Sequence, residues 1–298
     1  MEEMGFLCND CPRKCGAERD DNKASGICRS PYLPSLARCA PHFGEEPCIS
    51  GERGSGAIFF TGCNLKCVFC QNHEISRGLG GMTVSVERLR DIMRELEDKG
   101  VHNINLVTGS HYTRVIAQAL EGIKLNIPVV WNSSGYDSVE SLKMLDGLVQ
   151  VYMPDYKYTN SASAIRYSAA ADYPEVAEKA IKEMYRQRGP YIMNDEGIIQ
   201  SGLLVRHLIL PGQDSCAMDA IDFIADEFPR GSVLFSLMSQ YTPMPGLDDY
   251  PELQQPISPE TAANLRHYML SRGIRDGYWQ DVSSATDELI PNFDHSGV

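Results

Sequence analysis

The chain has little that would fix it to a membrane or to nucleic acid. No apolar run approaches the roughly 18 residues of a membrane span, and the opening Met1 to Cys8 has neither a basic n-region nor an apolar h-region. Basic side chains are the scarcer sign, 27 Lys and Arg against 40 Asp and Glu, and the net charge of -13 makes a poor generic binder of nucleic acid or anionic lipid. Internal repeats and low-complexity runs are absent, and the composition, 43% hydrophobic with 25 Gly and 17 Pro, excludes collagen, coiled-coil and disordered classes. No nucleic acid and no membrane is expected as a partner, and a cytoplasmic location is the default. In that reducing compartment ten cysteines do not read as a disulfide framework; ligation of a metal or cluster is the leading explanation.

What is present is an ordinary globular balance. The 298 residues are 43% hydrophobic and 22% charged, enough for one large core or one domain with a small appendage. From about residue 57, short apolar runs alternate with amphipathic stretches, the pattern of βα units and a parallel sheet. Strands are expected at 57–61, 104–108, 128–132, 148–154, 203–210 and 232–238, and helices at 86–99, 113–124, 139–145, 174–188, 216–227 and 259–271. The first helix is the clearest: Val86, Leu89, Ile92, Met93 and Leu96 recur at i, i+3 and i+4, with Ser85 as its cap and Gly100 as its stop. Six β-units fall short of a closed eight-fold barrel. The expected fold is therefore α/β, a partial (β/α)6 TIM-like barrel over residues 51–298, with a doubly wound sheet as runner-up. Residues 1–50 are expected to form a small amino-terminal Cys-rich, metal-binding segment. In either fold, ligands sit at the carboxyl ends of the strands.

Directly after the first expected strand stands Thr61-Gly62-Cys63-Asn64-Leu65-Lys66-Cys67-Val68-Phe69-Cys70, a C-x3-C-x2-C loop. Structural zinc takes four ligands and so does an ordinary cubane cluster, so three thiolates leave one metal position open. Phe69 and Val68 are placed to screen such a centre from water. A zinc knuckle with a borrowed fourth ligand, or reduced thiols without metal, is the plainer alternative.

Cys63, Cys67 and Cys70, with the aromatic Phe69, resemble the hallmark of the radical SAM superfamily, C-x3-C-x-aromatic-C after the first strand of a partial barrel. The resemblance implies a [4Fe-4S] cluster on these three catalytic cysteines, with the fourth iron chelating S-adenosyl-L-methionine. It implies reductive cleavage of that cofactor to methionine and a 5'-deoxyadenosyl radical, with electrons from a low-potential donor such as flavodoxin or ferredoxin.

The other strand ends extend the resemblance. Thr108-Gly109-Ser110-His111 stands where the superfamily has a Gly-Gly-Glu-like segment for the methionyl amino group. The literal motif is absent, so the backbone around Gly109 and the Ser110 side chain are expected to serve; His111 is within reach of the pocket, but a helix start or a solvent-facing position is the commoner outcome for such a residue. Asn132 and Ser133 end the third strand, and Met153, Asp155 and Lys157 follow the fourth. At this spacing the resemblance narrows to the pyruvate formate-lyase activating enzymes and their homologues. There the Asp-x-Lys segment binds the cofactor ribose region, and these positions surround a monovalent cation, a hard ion suited to oxygen ligands. In the fifth strand Arg206 and His207 must point to opposite faces. Arg206 is expected to pair with a cofactor carboxylate or substrate backbone, or to serve the structure; Gln240 and Tyr241, after the sixth strand, are further candidates for the pocket.

Cys8-x2-Cys11-x3-Cys15, followed by Cys28, lies in a stretch too polar to fold around its own core, and a metal would supply the missing stability. Zinc, iron and an auxiliary iron-sulfur cluster all fit four thiolates. Cys39, Cys48 and Cys216 are left over as small apolar residues. The function expected is a radical SAM oxidoreductase that activates a glycyl-radical enzyme or modifies a protein or peptide. A small-metabolite substrate, or a noncatalytic iron- or zinc-binding protein, is the alternative.

Overall fold

The computed structural model describes residues 6–20, 25–78, 80–280 and 291–298; the first five residues of the opening stretch, read above for a leader, lie outside them. Strands β1 (Phe6–Cys8) and β2 (Ala17–Arg19) form an antiparallel hairpin. One ten-stranded sheet holds the others: β3 (Ser35–His42), β4 (Ser55–Phe60), β5 (Met82–Thr83), β6 (Ile104–Val107), β7 (Val129–Ser133), β8 (Val151–Pro154), β9 (Ile192–Met193), β10 (Ile199–Leu208), β11 (Leu234–Met238) and β12 (Gly277–Trp279). The helices are α1 (Pro47–Ser50), α2 (His73–Ser76), α3 (Val86–Asp98), α4 (Thr113–Glu121), α5 (Val139–Met144), α6 (Ser161–Ser168), α7 (Tyr173–Arg188), α8 (Asp214–Glu227) and α9 (Pro259–Ser271).

The six expected strands are β4, β6, β7, β8, β10 and β11. They pair in parallel in chain order, without the reversal that marks a doubly wound sheet, and β12 adds a seventh parallel strand. This is the α/β partial barrel. Two features at the sheet's first edge were not anticipated. Strand β3 runs antiparallel to β4, and the carboxyl-terminal residues lie along its other edge, with Cys39 N–H donating to Ser296 O at 2.7 Å and His295 N–H to Ala37 O at 2.9 Å. An exposed strand edge is thereby covered.

The sheet buries both faces. Its outer face packs Leu106, Trp131, Tyr152, Val205 and Phe235 against the helices, including Leu89, Ile92 and Met93 of α3. Its inner face carries Val130, Val151, Met153, Leu204 and Leu234, closed below by Cys48 and Ile49 of α1. Each such side chain contributes roughly 1.5–3 kcal/mol when fully buried. Helix α3 starts where Ser85 accepts from Arg88 N–H at 3.1 Å and stops at Gly100, which takes φ of 80°. Ser85→Ala is expected to lower the unfolding free energy by about 1 kcal/mol in urea titration; an unchanged midpoint would remove the capping account of this helix.

Candidate active site

Strand β4 is apolar and buried along its whole length, so the chain leaves it at the carboxyl end of the barrel, and the cysteine loop follows at once. Backbone bonds pin that loop: Gly62 N–H to Ile75 O at 2.8 Å, Lys66 N–H to Ser168 O at 3.3 Å and Val68 N–H to Tyr167 O at 2.9 Å. The last two reach the carboxyl end of α6, a helix that sequence reading passed over. Leu65 N–H donates to Cys63 Sγ at 3.4 Å, and the Ser168 hydroxyl donates to Cys67 Sγ at 2.9 Å. Burial, with Cys67 and Cys70 close by, pushes the Cys63 thiol up to about 12. Such a thiol ionises readily only when a cation takes its proton's place. Phe69 is buried edge-on to Tyr158 and Tyr241, with ring centroids at 6.5 and 6.3 Å, so both tyrosines belong to the apolar wall of the loop.

Across the inner face lies a polar layer. Arg206 donates from Nε to Asp155 Oδ1, from Nη1 to Glu45 Oε2 and from Nη2 to Asn132 Oδ1, each at 2.8 Å. Glu45 Oε1 accepts from Asn105 Nδ2 at 3.0 Å and Asn132 Nδ2 at 2.9 Å. Lys157 Nζ lies 2.5 Å from Asp155 Oδ2 and is also close to Cys67. Burial alone would raise the Asp155 pKa, but the Arg206 and Lys157 cations outweigh it and hold the carboxyl below its usual range. Burial likewise opposes the charged form of Lys157, and Asp155 with Cys67 overcomes it, raising its pKa. Glu46 is a third carboxylate of this layer, 3.9 Å from Arg206 Nη1 with no hydrogen-bond partner for either oxygen among the described residues, and burial raises its pKa.

The expected residues divide by face. Asn132, Met153, Asp155, Lys157 and Arg206 meet at the inner face, whereas the Ser133 hydroxyl donates to the buried Asp137 Oδ2 at 2.6 Å and Ser110 also lies beside that carboxyl. Gly109 is pressed against Ile116 and Trp131, where an added Cβ would stand 2.7 Å from Ile116 Cδ1. The preceding Thr108 takes φ of 62°, a strained conformation for a β-branched residue. His111 lies within the short 3-10 turn Ser110–Tyr112 that leads into α4, a helix start as expected, but does not face solvent: it is buried, its Nε2 bonds Thr61 O at 2.8 Å, and burial with Arg19 pushes its pKa down to about 3. Its neighbours Gly109, Ser110 and Thr113 gave no sign that the ring would turn inward. His207 points outward from Arg206 into the helix layer, where Nδ1 meets Tyr156 O at 2.6 Å. The buried Ser134 hydroxyl and Gln240 Oε1 lack hydrogen-bond partners among the described residues. Glu45 and Glu46 escaped sequence reading; only the paired acids before Pro47 hinted at them.

Comparison with known proteins now adds to this geometry. A profile of the Radical SAM superfamily matches residues 57–188, the span from β4 through α7. An uncharacterized protein of Methanocaldococcus jannaschii, MJ0674, is 30% identical over 266 residues, 85% of this chain and 71% of that one. The chain belongs to the radical SAM superfamily. Among solved structures, Streptococcus suis SuiB matches 76% of this chain with a TM-score of 0.52 at 14% identity, and SuiB bound to its precursor peptide SuiA matches 77% with a TM-score of 0.50 at 15% identity. These likenesses show the fold. The chain spans 49% of the length of those SuiB chains.

Membership in the radical SAM superfamily carries with it a [4Fe-4S] cluster and S-adenosyl-L-methionine. The donor set fits: three soft sulfurs on one loop, two of them already receiving hydrogen bonds, as iron-sulfur thiolates do. Among the described residues no three Cys, His, Asp or Glu side chains stand closed around a single ion, so the thiols must turn to meet a cluster. The ion network below them is testable without it. Arg206→Met strands Glu45 and Asp155 and is expected to cost roughly 3–5 kcal/mol in urea unfolding; a loss under about 1 kcal/mol would mean that the layer is solvated. With its folded pKa held below the ordinary value of about 3.9, Asp155 contributes fully above that pH and loses its contribution as pH falls through the folded value. The stability gap between wild type and Asp155→Asn should therefore close in acid, and a pH-independent gap would contradict the pairing.

Proposed function

We propose that this chain is a radical SAM oxidoreductase whose hydrogen donor is a protein or peptide, of which the glycine loop of a glycyl-radical enzyme is the leading candidate. The observation that carries the reading is the convergence of Cys63, Cys67 and Cys70 with the Asp155–Lys157 pair at one end of the barrel, Lys157 lying beside Cys67. The spacing of Met153, Asp155 and Lys157 supports the activating-enzyme likeness, and the SuiA-bound SuiB fold supports a peptide in such a barrel.

When bound, the cluster and cofactor supply a one-electron cleavage that yields a carbon radical able to take hydrogen from an unactivated C–H bond. The chain's own part is to hold, orient and exclude. Cys63, Cys67 and Cys70 would hold the cluster; Lys157, steadied by Asp155, would offer donors toward the cofactor's ribose region; Phe69, Tyr158 and Tyr241 would keep water from the cluster. Gly109, Ser110, Asn132, Ser133, Met153 and Arg206 are proposed to shape the rest of the cofactor site, Arg206 through the residues it fixes. A monovalent cation beside Asp155 belongs to the same proposal, as do a flavodoxin- or ferredoxin-like donor and a cytoplasmic location. Among the described residues, no helix is long and apolar enough to cross a membrane. Cys8, Cys11, Cys15 and Cys28 are assigned a second metal.

The direct test is anaerobic reconstitution with iron and sulfide, reduction, and assay of 5'-deoxyadenosine with and without a glycine-loop peptide. Wild type should form it, faster with the peptide, and Cys63→Ala should lose at least about a hundred-fold. Formation by Cys63→Ala at the wild-type rate would sink the assignment.

A further inference from the structure

The amino-terminal hairpin is built around thiols. Cys8 ends β1, Cys11 and Cys15 occupy the turn, and Cys28 returns beside them, so that Cys8, Cys15 and Cys28 all lie close enough to act electrostatically on Cys11. Tight turns bring them together: Lys14 N–H donates to Cys11 O at 3.0 Å, Gly16 N–H to Cys8 O at 3.2 Å and Arg29 N–H to Gly26 O at 3.3 Å. An added Cβ on Gly26 would lie 3.1 Å from Cys15 Sγ, so the fourth thiol faces the same turn as Cys28.

A second observation is independent of the cysteines. Arg19 is 2% exposed, yet among the described residues no carboxylate pairs with it. Its side chain donates to the carbonyls of Ser30, Pro31 and His111, stacks on Tyr112 and donates from Nη1 to Cys8 Sγ at 3.4 Å. A guanidinium buried against neutral thiols is an uncompensated charge; against thiolates it has its counter-ion.

The same module grips the radical-cluster loop. Arg13, between Cys11 and Cys15, donates from Nε to Asn64 O at 2.8 Å, one residue past Cys63, and from its two terminal nitrogens to Ala169 O at 2.5 Å and Ser168 O at 3.3 Å. Ser168 is the residue whose hydroxyl meets Cys67 Sγ. On the other flank Arg19 holds His111 O at 2.7 Å, and the His111 ring donates to Thr61 O. Between them Gly62 packs so closely that an added Cβ would stand 2.6 Å from Cys28 O. The loop is thus held from both sides by residues of the thiol module.

We infer that Cys8, Cys11, Cys15 and Cys28 bind one thiophilic ion of the zinc or ferrous class as a dianionic tetrathiolate, half of whose charge Arg19 offsets, and that this centre positions the Cys63–Cys70 loop through Arg13. Binding turns the four side chains inward, since among the described residues no three stand closed around an ion, and forms four sulfur–metal bonds while four thiol protons leave to water, with no change of oxidation state. The coupling half rests on the radical reading above; the ion-binding half does not.

Two measurements on the full chain separate them. In a Cys63→Ala, Cys67→Ala, Cys70→Ala background, expressed with zinc or with iron, elemental analysis should find about one ion per chain and no acid-labile sulfide, falling at least about ten-fold with Cys11→Ser and Cys28→Ser added. No bound ion, or sulfide in step with iron, overturns the tetrathiolate centre, and the zinc and iron arms identify the ion. In the otherwise wild-type chain, Arg13→Ala should keep the amino-terminal ion but shift the electron paramagnetic resonance g-values of the reduced cluster and slow 5'-deoxyadenosine formation about ten-fold, with Arg13→Lys between. Unchanged g-values in Arg13→Ala overturn the positioning role. A wild-type chain that takes up no cluster overturns the radical reading and the coupling with it, while the ion count still decides the tetrathiolate centre.

Discussion

Arg206 places a permanent cation on the inner face of a sheet, and much of the interior follows from meeting its needs. A buried guanidinium left short of acceptors is far costlier than the exposed one, so acceptors must come from several elements at once. They come from β7 as Asn132, from the end of β8 as Asp155 and from the segment before α1 as Glu45. Bringing Glu45 into the barrel draws α1 in behind it, and Cys48 and Ile49 then close the floor. Asp155, fixed on one oxygen by Arg206, presents the other to Lys157 and so sets that ammonium near Cys67. One charge thereby ties the closed lower end of the barrel to the chemistry at its mouth.

At the mouth the constraint is different. Three sulfurs must be held on a short loop without a hydrophobic core of their own. Support comes from outside the loop: α6 through Ser168, the amino-terminal hairpin through Arg13, and His111 through Thr61. The strained Thr108 and the close-packed Gly109 follow β6 beside this support, and backbone strain of this sort gathers at functional sites.

Periodicity made most of the fold legible. The 3.6-residue repeat of α3 and the apolar runs of the six parallel strands are consequences of burial on one face or two, and both are visible without coordinates. Strand β3 was not, because Arg38 and Pro41 interrupt its alternation and its apolar partners lie in β4 and at the carboxyl terminus. Helix α6 was missed for want of a stripe: Ser-Ala-Ser-Ala-Ile-Arg-Tyr-Ser is small and polar, and tertiary contacts hold it. The cysteine loop was legible because its ligands are local. Glu45 and Glu46 were not, since their meaning lies in Arg206, far away in sequence. The burial of His111 at its helix start was not legible for the same reason: a lone polar ring gives no sign of the carbonyl, Thr61 O, that receives it across the fold.

The central claim is that Cys63, Cys67 and Cys70 leave one iron free for S-adenosyl-L-methionine. Electron-nuclear double resonance on the reduced, reconstituted chain, with cofactor labelled at its amino nitrogen and carboxylate oxygens, tests it most directly. The account predicts hyperfine coupling from both labels to the cluster. A fully loaded, reduced cluster that shows coupling to neither would contradict it.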